Sequence, residues 1–208
     1  MAAPRFYCPN LPHPRLSERM APLDEDQSRH ARKVLRLQPG EPVDLFDGKG
    51  MMARATLEAY VEGLAVCRIR EMAEASRPRP TITVASAIPK GGRADDMVNH
   101  LSQLGCDRLI PLKTARSIVE PRETKLDRFA KAAVEAGKQS GRAYLLEVEA
   151  AMQPFEAVVK LDADVKLIAA IGEYRVDELT AALRGAQHVL VLVGPEGDWT
   201  EEELALAT

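Results

Sequence analysis

From Thr81 onward, apolar runs alternate with amphipathic stretches, and this alternation restricts the possible fold more than any other feature. The runs are TITVASAI (81–88), DRLIPLK (107–113), VKLIAAI (165–171) and QHVLVLV (187–193). Between them lie the helix patterns ADDMVNHLSQLG (94–105), TKLDRFAKAAVEAGKQSG (124–141) and VDELTAALRG (176–185). In the first, Met97, Leu101 and Leu104 share a face, Asp95 or Asp96 is placed to cap the start, and Gly105 stops it. In the second, Leu126, Phe129, Ala130, Ala133 and Val134 fall on one helical stripe. Apolar strands joined by such helices predict a parallel sheet covered on both faces. Ligands of such sheets sit beyond the C-terminal ends of the strands.

The chain before Thr81 has a different rhythm. A short helix is expected from Asp26 to Leu35, ended by Pro39-Gly40. PVDLFDGKGMMARATLEA (42–59) reads as strand, turn, strand, with Asp47-Gly48 at the turn, and LAVCRIRE (64–71) as a third strand. Short strands in this density predict a small β-barrel. Glu71 to Thr81, with two prolines, reads as a linker. The 208 residues allow one large domain, or a medium and a small one, and 46% apolar residues suffice for a core. A net charge of -3 excludes a chain-wide basic surface, so any nucleic acid must meet a local patch. Cys8, Cys67 and Cys106 are isolated and the four histidines scattered. The expectation is therefore no disulfide framework, no metal and a reducing cytosol. No apolar run approaches the roughly 18 residues of a membrane span, and no signal-peptide core is present.

Two local features carry chemistry. In VLVLVGPEGDWTEEEL (189–204) an apolar strand stops at Gly-Pro-Glu-Gly and a helix begins at once. Gly194 and Gly197 allow close backbone approach or positive φ, and Thr200 with Glu203 forms a capping box. Glu196, Glu201, Glu202 and Glu203 make a phosphate unwelcome, and neither GxxxxGK[ST] nor GxGxxG occurs. The turn therefore suits a neutral or cationic group held by the backbone, such as a methyl sulfonium cofactor. The alternative is a turn that uses Gly-Pro for shape alone. Second, Arg29, Arg32, Lys33 and Arg36 fall on one helical face, with Arg5 able to add to it. Such a face draws in RNA phosphates, or is simply solvated.

The segment 193–204 resembles I-G-P-E-G-G-x-[ST]-x-x-E of the ribosomal RNA small subunit methyltransferase E family. Residues 30–50, 88–120 and 132–148 resemble further segments of that family in the same order, so the likeness covers nearly the whole chain. It implies an α/β protein with an N-terminal PUA-like β-barrel at 1–74. A SPOUT (trefoil-knot) parallel-sheet methyltransferase domain follows at 75–208, apparently without the family's knot-closing C-terminal segment. It also implies S-adenosyl-L-methionine as cofactor, N3 of a 16S ribosomal RNA uridine as target, a homodimer and a cytoplasmic location. For the cofactor it points to Gly194, Glu196 and Gly197, to Ala170, Ile171 and Gly172, and to Leu192 and Val193 for apolar packing, the last two equally readable as core. For catalysis it points to Arg116, Glu135, Gln139 and Arg142. Against these stand solvated arginines and a Glu135 ion pair with Lys131 or Lys138. Ser117, Lys90 and Arg93 join the RNA side. Asp198, where the family has glycine, and the absent closing segment leave a second reading: a non-catalytic RNA-binding or ribosome-assembly protein with a degenerate pocket.

Overall fold

The computed structural model describes residues 3–12, 19–172 and 176–207. They group into two units: Met1–Arg77 with Gly137–Leu145, and Pro78–Ala136 with Leu146–Thr208. The return of Gly137–Leu145 to the first unit is not announced by the sequence pattern.

The first unit is built on a five-stranded sheet, in order β1 (Arg5–Tyr7), β3 (Pro42–Phe46), β4 (Met51–Val61), β5 (Leu64–Glu74), β2 (Met20–Pro22). Ala53, Ala55 and Leu57 on β4 alternate with more exposed neighbours, as do Ala65, Cys67 and Ile69 on β5. This period of two lays one face on a core completed by Phe6, Val43 and Leu45. Asp47 Oδ1 accepts the N–H groups of Lys49 (2.7 Å) and Met51 (2.9 Å), which closes the expected β3–β4 turn. Burial pushes the Cys8 thiol up to about 11 and that of Cys67 to about 12, so neither is a nucleophile at neutral pH. β5 runs on to Glu74, so the stretch expected as a linker starts as strand.

The helix expected over Asp26–Leu35 is two elements. α1 (Glu25–Arg29) is capped by Asp24, and a π-helical turn, His30–Val34, follows. Leu35 N donates to His30 O five residues back, and Arg36 then takes a left-handed φ of 55°. Arg29, Arg32 and Lys33 line one cleft, as a shared face would place them, whereas Arg36, past the wider turn, is not part of it.

The second unit is a parallel sheet in order β10 (Val165–Ala169), β11 (His188–Val193), β6 (Thr81–Ser86), β7 (Arg108–Lys113), β8 (Glu147–Val148), with β9 (Gln153–Pro154) also on β7. Odd and even residues of each strand face different cores. Val84, Leu109, Val191 and Val193 pack with α2 (Arg93–Leu104) and α3 (Glu123–Ser140). Ala85, Ile110, Leu190 and Leu192 pack with α4 (Phe155–Val158), Trp199 and α6 (Glu201–Ala207). Phe129 on one side and Phe155 on the other are fully buried, each contributing about 1.5–3 kcal/mol.

Several helical details differ from the sequence expectation. α2 has Gly92 as its N-cap and so no side-chain cap; Asp95, already inside the helix, instead accepts from Arg128 Nη2 with both carboxylate oxygens (2.9 and 2.8 Å). Its buried stripe is Ala94, Val98 and Ser102, which leaves Leu104 82% exposed, while Gly105 ends it in the left-handed conformation as expected. On α3 the buried stripe is Leu126, Phe129, Ala133 and Ala136, so Ala130 is exposed. No residue of α5 (Val176–Leu183) is buried, so this helix does not cover the sheet face expected of it.

Asp164 secures the entry to β11. Its Oδ2 accepts the N–H groups of His188 (2.8 Å) and Gln187 (2.7 Å), and these bonds hold its carboxyl below the ordinary 3.8. A depressed folded-state pKa contributes stability above the unfolded value and loses it as pH falls through the folded one. Asp164→Asn is therefore expected to lower stability at neutral pH and to flatten its loss on acidification. Denaturant titrations from about pH 6 to about pH 3 check this, a pH-independent offset between the two proteins being the contrary result.

Candidate functional site

β6 and β11 pair in parallel with Ser86 opposite Val193, so their C-terminal ends emerge side by side. Ala87 N donates to Val193 O (3.0 Å), the last rung of the ladder. Beyond it lies a cavity of about 200 Å³ walled by residues 86–90, 117–119 and 193–196, with Met97 at its side. This is where an open parallel sheet holds a ligand. Ile88, Met97, Val119 and Val193 make its walls largely apolar, while Lys90 and Glu196 supply charge.

The Gly-Pro-Glu-Gly turn is shaped by one large side chain. Trp199, the only tryptophan in the chain, is 4% exposed and donates its indole N–H to Ala169 O (2.8 Å) at the end of β10. Its ring lies 5.2 Å from that of Phe155 and presses on Gly194, where a Cβ would fall 2.8 Å from the indole. Gly194 is therefore required by contact. The positive φ expected of the turn's glycines belongs instead to Asp198, at 62°, whose Oδ1 accepts Trp199 N (2.8 Å). Asp is among the residues that tolerate this region, and glycine tolerates it best.

The capping box forms as expected. Glu203 N donates to Thr200 Oγ1 (3.2 Å) and Thr200 N to Glu203 Oε2 (2.9 Å). Glu203 is also buried, and its Oε1 accepts Ala115 N (2.8 Å) from the loop after β7. Glu196 Oε1 pairs with Arg93 Nη1 (2.9 Å) across an exposed surface. Of the four carboxylates expected to repel anions, one is consumed by the cap and one is paired. Glu201 and Glu202 remain at the surface.

Lys90, Ser117, Val193, Gly194 and Glu196 thus meet at the cavity, and Arg93 reaches it through Glu196. Arg116 donates from Nη1 to Gly197 O (2.8 Å) and Trp199 O (3.1 Å), which ties it to the turn. Leu192 is 2% exposed and belongs to the core. Ala170, Ile171 and Gly172 follow β10 and do not line this cavity, Ile171 being 95% exposed. Glu135 sits exposed on α3, whereas Gln139 and Arg142 lie in the segment grouped with the first unit.

In the first unit, Arg5 stacks over the Phe46 ring (4.3 Å) and donates to Arg142 O (2.7 Å). Arg29, Arg32 and Lys33 line a separate cleft of about 370 Å³ that also holds Glu25 and Glu62. There Arg29 pairs with Asp26 (3.0 Å), and the Arg32 guanidinium sits 5.5 Å from the centre of the Tyr60 ring. Arg36 is exposed beyond the π-helical turn. Among the described residues no cluster of three His, Cys, Asp or Glu side chains is arranged to hold a metal. Nor is any helix among them long and apolar enough to cross a membrane. As parts of the site, Trp199, Ile118 and the second bond of Glu203 are not indicated by the sequence, which places Met97 only on a helix face. A lone tryptophan directly after a glycine-flanked turn was the one available signal.

The model of an RNA methyltransferase domain matches residues 76–208, and that of an RNA methyltransferase PUA domain matches residues 23–59. The chain belongs to the RNA methyltransferase family. The ribosomal RNA small subunit methyltransferase E of Synechocystis sp. is 31% identical over 186 residues, covering 87% of this chain and 61% of that protein. The chain thus spans less than two thirds of that relative's length. The Mycobacterium bovis protein of the same name is 28% identical over 218 residues, covering 100% of this chain and 81% of the relative. Among solved structures, the ribosomal RNA small subunit methyltransferase E from Neisseria gonorrhoeae, bound to S-adenosyl methionine, superposes with a TM-score of 0.83. It is 27% identical and covers 99% of this chain and 85% of its own. A probable rRNA-methyltransferase from Porphyromonas gingivalis gives 0.78 at 29% identity, with 98% and 84% covered. The family expected from the quoted motifs is the one found, with a parallel-sheet α/β domain and a PUA-like N-terminal domain.

Two substitutions test the turn. Gly194→Ala forces a methyl into the buried indole and is expected to cost about 1–3 kcal/mol in chemical denaturation, an unchanged midpoint being the opposing outcome. At the left-handed position, Asp198→Ala is expected to lose about 1 kcal/mol while Asp198→Gly stays near wild type. Equal losses for the two would show that backbone handedness is not what residue 198 supplies.

Proposed function

We propose that the cavity at the ends of β6 and β11 holds S-adenosylmethionine, and that the protein methylates N3 of a uridine in 16S ribosomal RNA. The observation that carries this is the Gly194–Glu196 segment of the turn closing one wall of a mostly apolar cavity on a parallel sheet. Support comes from a relative of the same fold, over nearly the whole chain, crystallised with that cofactor. The chemistry of the wall fits the group: apolar side chains suit an adenine face, peptide groups of the turn suit its edge, and the Glu196 carboxylate suits a positive centre. When bound, the cofactor supplies an electrophilic methyl on a sulfonium.

The chain's own residues then have three tasks. Val193, Gly194, Glu196 and Gly197 bind the donor, with Ala170, Ile171 and Gly172 as the second edge of the cofactor site in this reading. Lys90, Arg93 and Ser117 meet the RNA near the cavity, while Arg5, Arg29, Arg32, Lys33 and Arg36 hold its backbone from the first unit. Arg116, Glu135, Gln139 and Arg142 are the candidates for orienting the base and receiving the N3 proton, which must leave for the nitrogen to attack. The target base has to be presented outside a stack. The reading includes a PUA-like barrel over 1–74, a knotted SPOUT domain over 75–208, a homodimer and a cytoplasmic site of action.

The test is transfer of a labelled methyl group from S-adenosylmethionine to small ribosomal subunits from cells lacking the gene, followed by mass spectrometry of the RNA. One methyl at N3 of a single uridine is expected. Label on another base would overturn the stated target. No label despite RNA binding would favour the non-catalytic reading.

A further inference from the structure

Two segments far apart in sequence wall the cavity: the loop after β7, which supplies Ser117, Ile118 and Val119, and the turn after β11, which supplies Gly194–Glu196. Three hydrogen bonds fasten the first to the continuation of the second. Glu203 Oε1 accepts Ala115 N (2.8 Å), and Arg116 Nη1 donates to Gly197 O (2.8 Å) and Trp199 O (3.1 Å). The loop itself is braced from within. Thr114 N donates to Ser117 Oγ (3.0 Å), the two hydroxyls lie 2.9 Å apart, and Ser117 N donates to Thr114 O (3.2 Å). Moving the loop therefore moves the cavity wall as one piece.

The two fastening residues are opposite in charge and adjacent in their attachment points, Ala115 and Arg116 on one side, residues 197–203 on the other. Glu203 is 7% exposed, so its carboxylate is in the structure only because backbone N–H groups satisfy it from both segments. A cap alone needs only the Thr200 bond. The second bond, to Ala115, lies outside the helix and links it to the opposite wall. Arg116 closes the same gap from the other direction, using charge-assisted bonds to carbonyls that carry no charge of their own.

We propose that Arg116 and Glu203 are a paired strap of positioning residues that sets the width of the cofactor cavity. This rests on the reading that the cavity takes S-adenosylmethionine, and it gives Arg116 a duty separate from any contact with RNA. Loosening the strap lets the wall carrying Ser117–Val119 drift from the Gly194 turn. The donor then binds less tightly even before RNA is present.

The test uses the full chain and S-adenosylmethionine alone, by calorimetry, with acrylamide quenching of Trp199 fluorescence as a readout that needs no cofactor. Glu203→Gln and Arg116→Ala are each expected to weaken binding about tenfold and to raise quenching of the buried indole. The double variant is expected to be little worse than either single one, since both fasten the same pair of segments. Thr200→Ala is the comparison: it removes the cap bond to Glu203 N and leaves the bond to Ala115. It is expected to lower the melting temperature while leaving affinity within about twofold. If wild type binds and Arg116→Ala, whose side chain is exposed and whose removal leaves the core intact, binds equally well, the strap is wrong and the functional reading stands. If Thr200→Ala weakens binding as much as Glu203→Gln, the carboxylate acts only as a cap and the strap is wrong. If wild type binds no S-adenosylmethionine, the cofactor reading falls and the strap with it.

Discussion

The parallel pairing of β6 with β11 is the constraint on which the site depends. Thr81 and Gln187 are 106 positions apart, yet Thr81 N and Oγ1 both donate to Gln187 O. From that anchor the register runs to Ser86 opposite Val193. A slip of one residue would reverse the facing of every side chain on β11. Val191 and Val193 would then meet the Trp199 side, and Leu190 and Leu192 the α2–α3 side. Each core already buries its own set of side chains, and close-packed interiors tolerate such an exchange poorly. The same register that satisfies the cores delivers Ser86–Lys90 and Gly194–Glu196 to opposite sides of one gap. The cavity is therefore a consequence of core packing rather than of any residue that lines it.

Charge at the turn follows from how its carboxylates are bonded, not from how many there are. Glu203 faces inward and is satisfied by backbone N–H groups of Thr200 and Ala115. Glu196 is opposed by Arg93, and hydrogen bonds at the helix start, with Arg116 nearby, hold the Glu202 carboxyl below its usual range. The turn is less hostile to anions than its four glutamates suggest. The preference proposed for a positive group then rests on Glu196, whose partner Arg93 is held only by an exposed ion pair. Such a pair contributes about 0–1 kcal/mol, so Glu196 is readily released to another cation.

Long-range order was legible in the sequence wherever a period repeated. β6, β7 and β11 read as unbroken apolar runs because they are buried on both faces, β10 read from composition although none of its residues is buried, and the β3–β4 turn read from Asp47-Gly48. The family likeness then added what periodicity cannot carry. Short elements without a period were missed: β1, β2, β8, β9 and α4 span two to four residues each, too few to show one. Helix faces were misjudged where apolar identity and burial part company. Leu104 is apolar and exposed, whereas Ser102 is polar and buried because its hydroxyl donates to Ala133 O. At the turn, the sequence allows close approach or positive φ for Gly194 and Gly197 and does not choose between them. Only the position of Trp199 shows that Gly194 answers a steric demand, while the left-handed residue is Asp198.

A chain with net charge -3 and an acidic helix start is compatible with the proposed RNA partner because electrostatics at physiological salt is local. Charges separated by more than the screening length of about 8 Å scarcely feel each other through solvent. What an approaching phosphate senses is the residues within that radius: at the first-unit cleft these are Arg29, Arg32 and Lys33, set against Glu25 and Glu62, which line it with them, and Asp26, which pairs with Arg29. The π-helical turn matters here. Arg29, Arg32 and Lys33 share one cleft and Arg36 then reverses direction, so the cations do not run on as one long straight stripe. A stripe fits the regular spacing of a duplex backbone; a spread of cations beside an aromatic ring, as Arg32 lies beside Tyr60, fits irregular or single-stranded RNA better. That is the kind of RNA in which a base can be offered outside a stack, as the proposed methyl transfer would require.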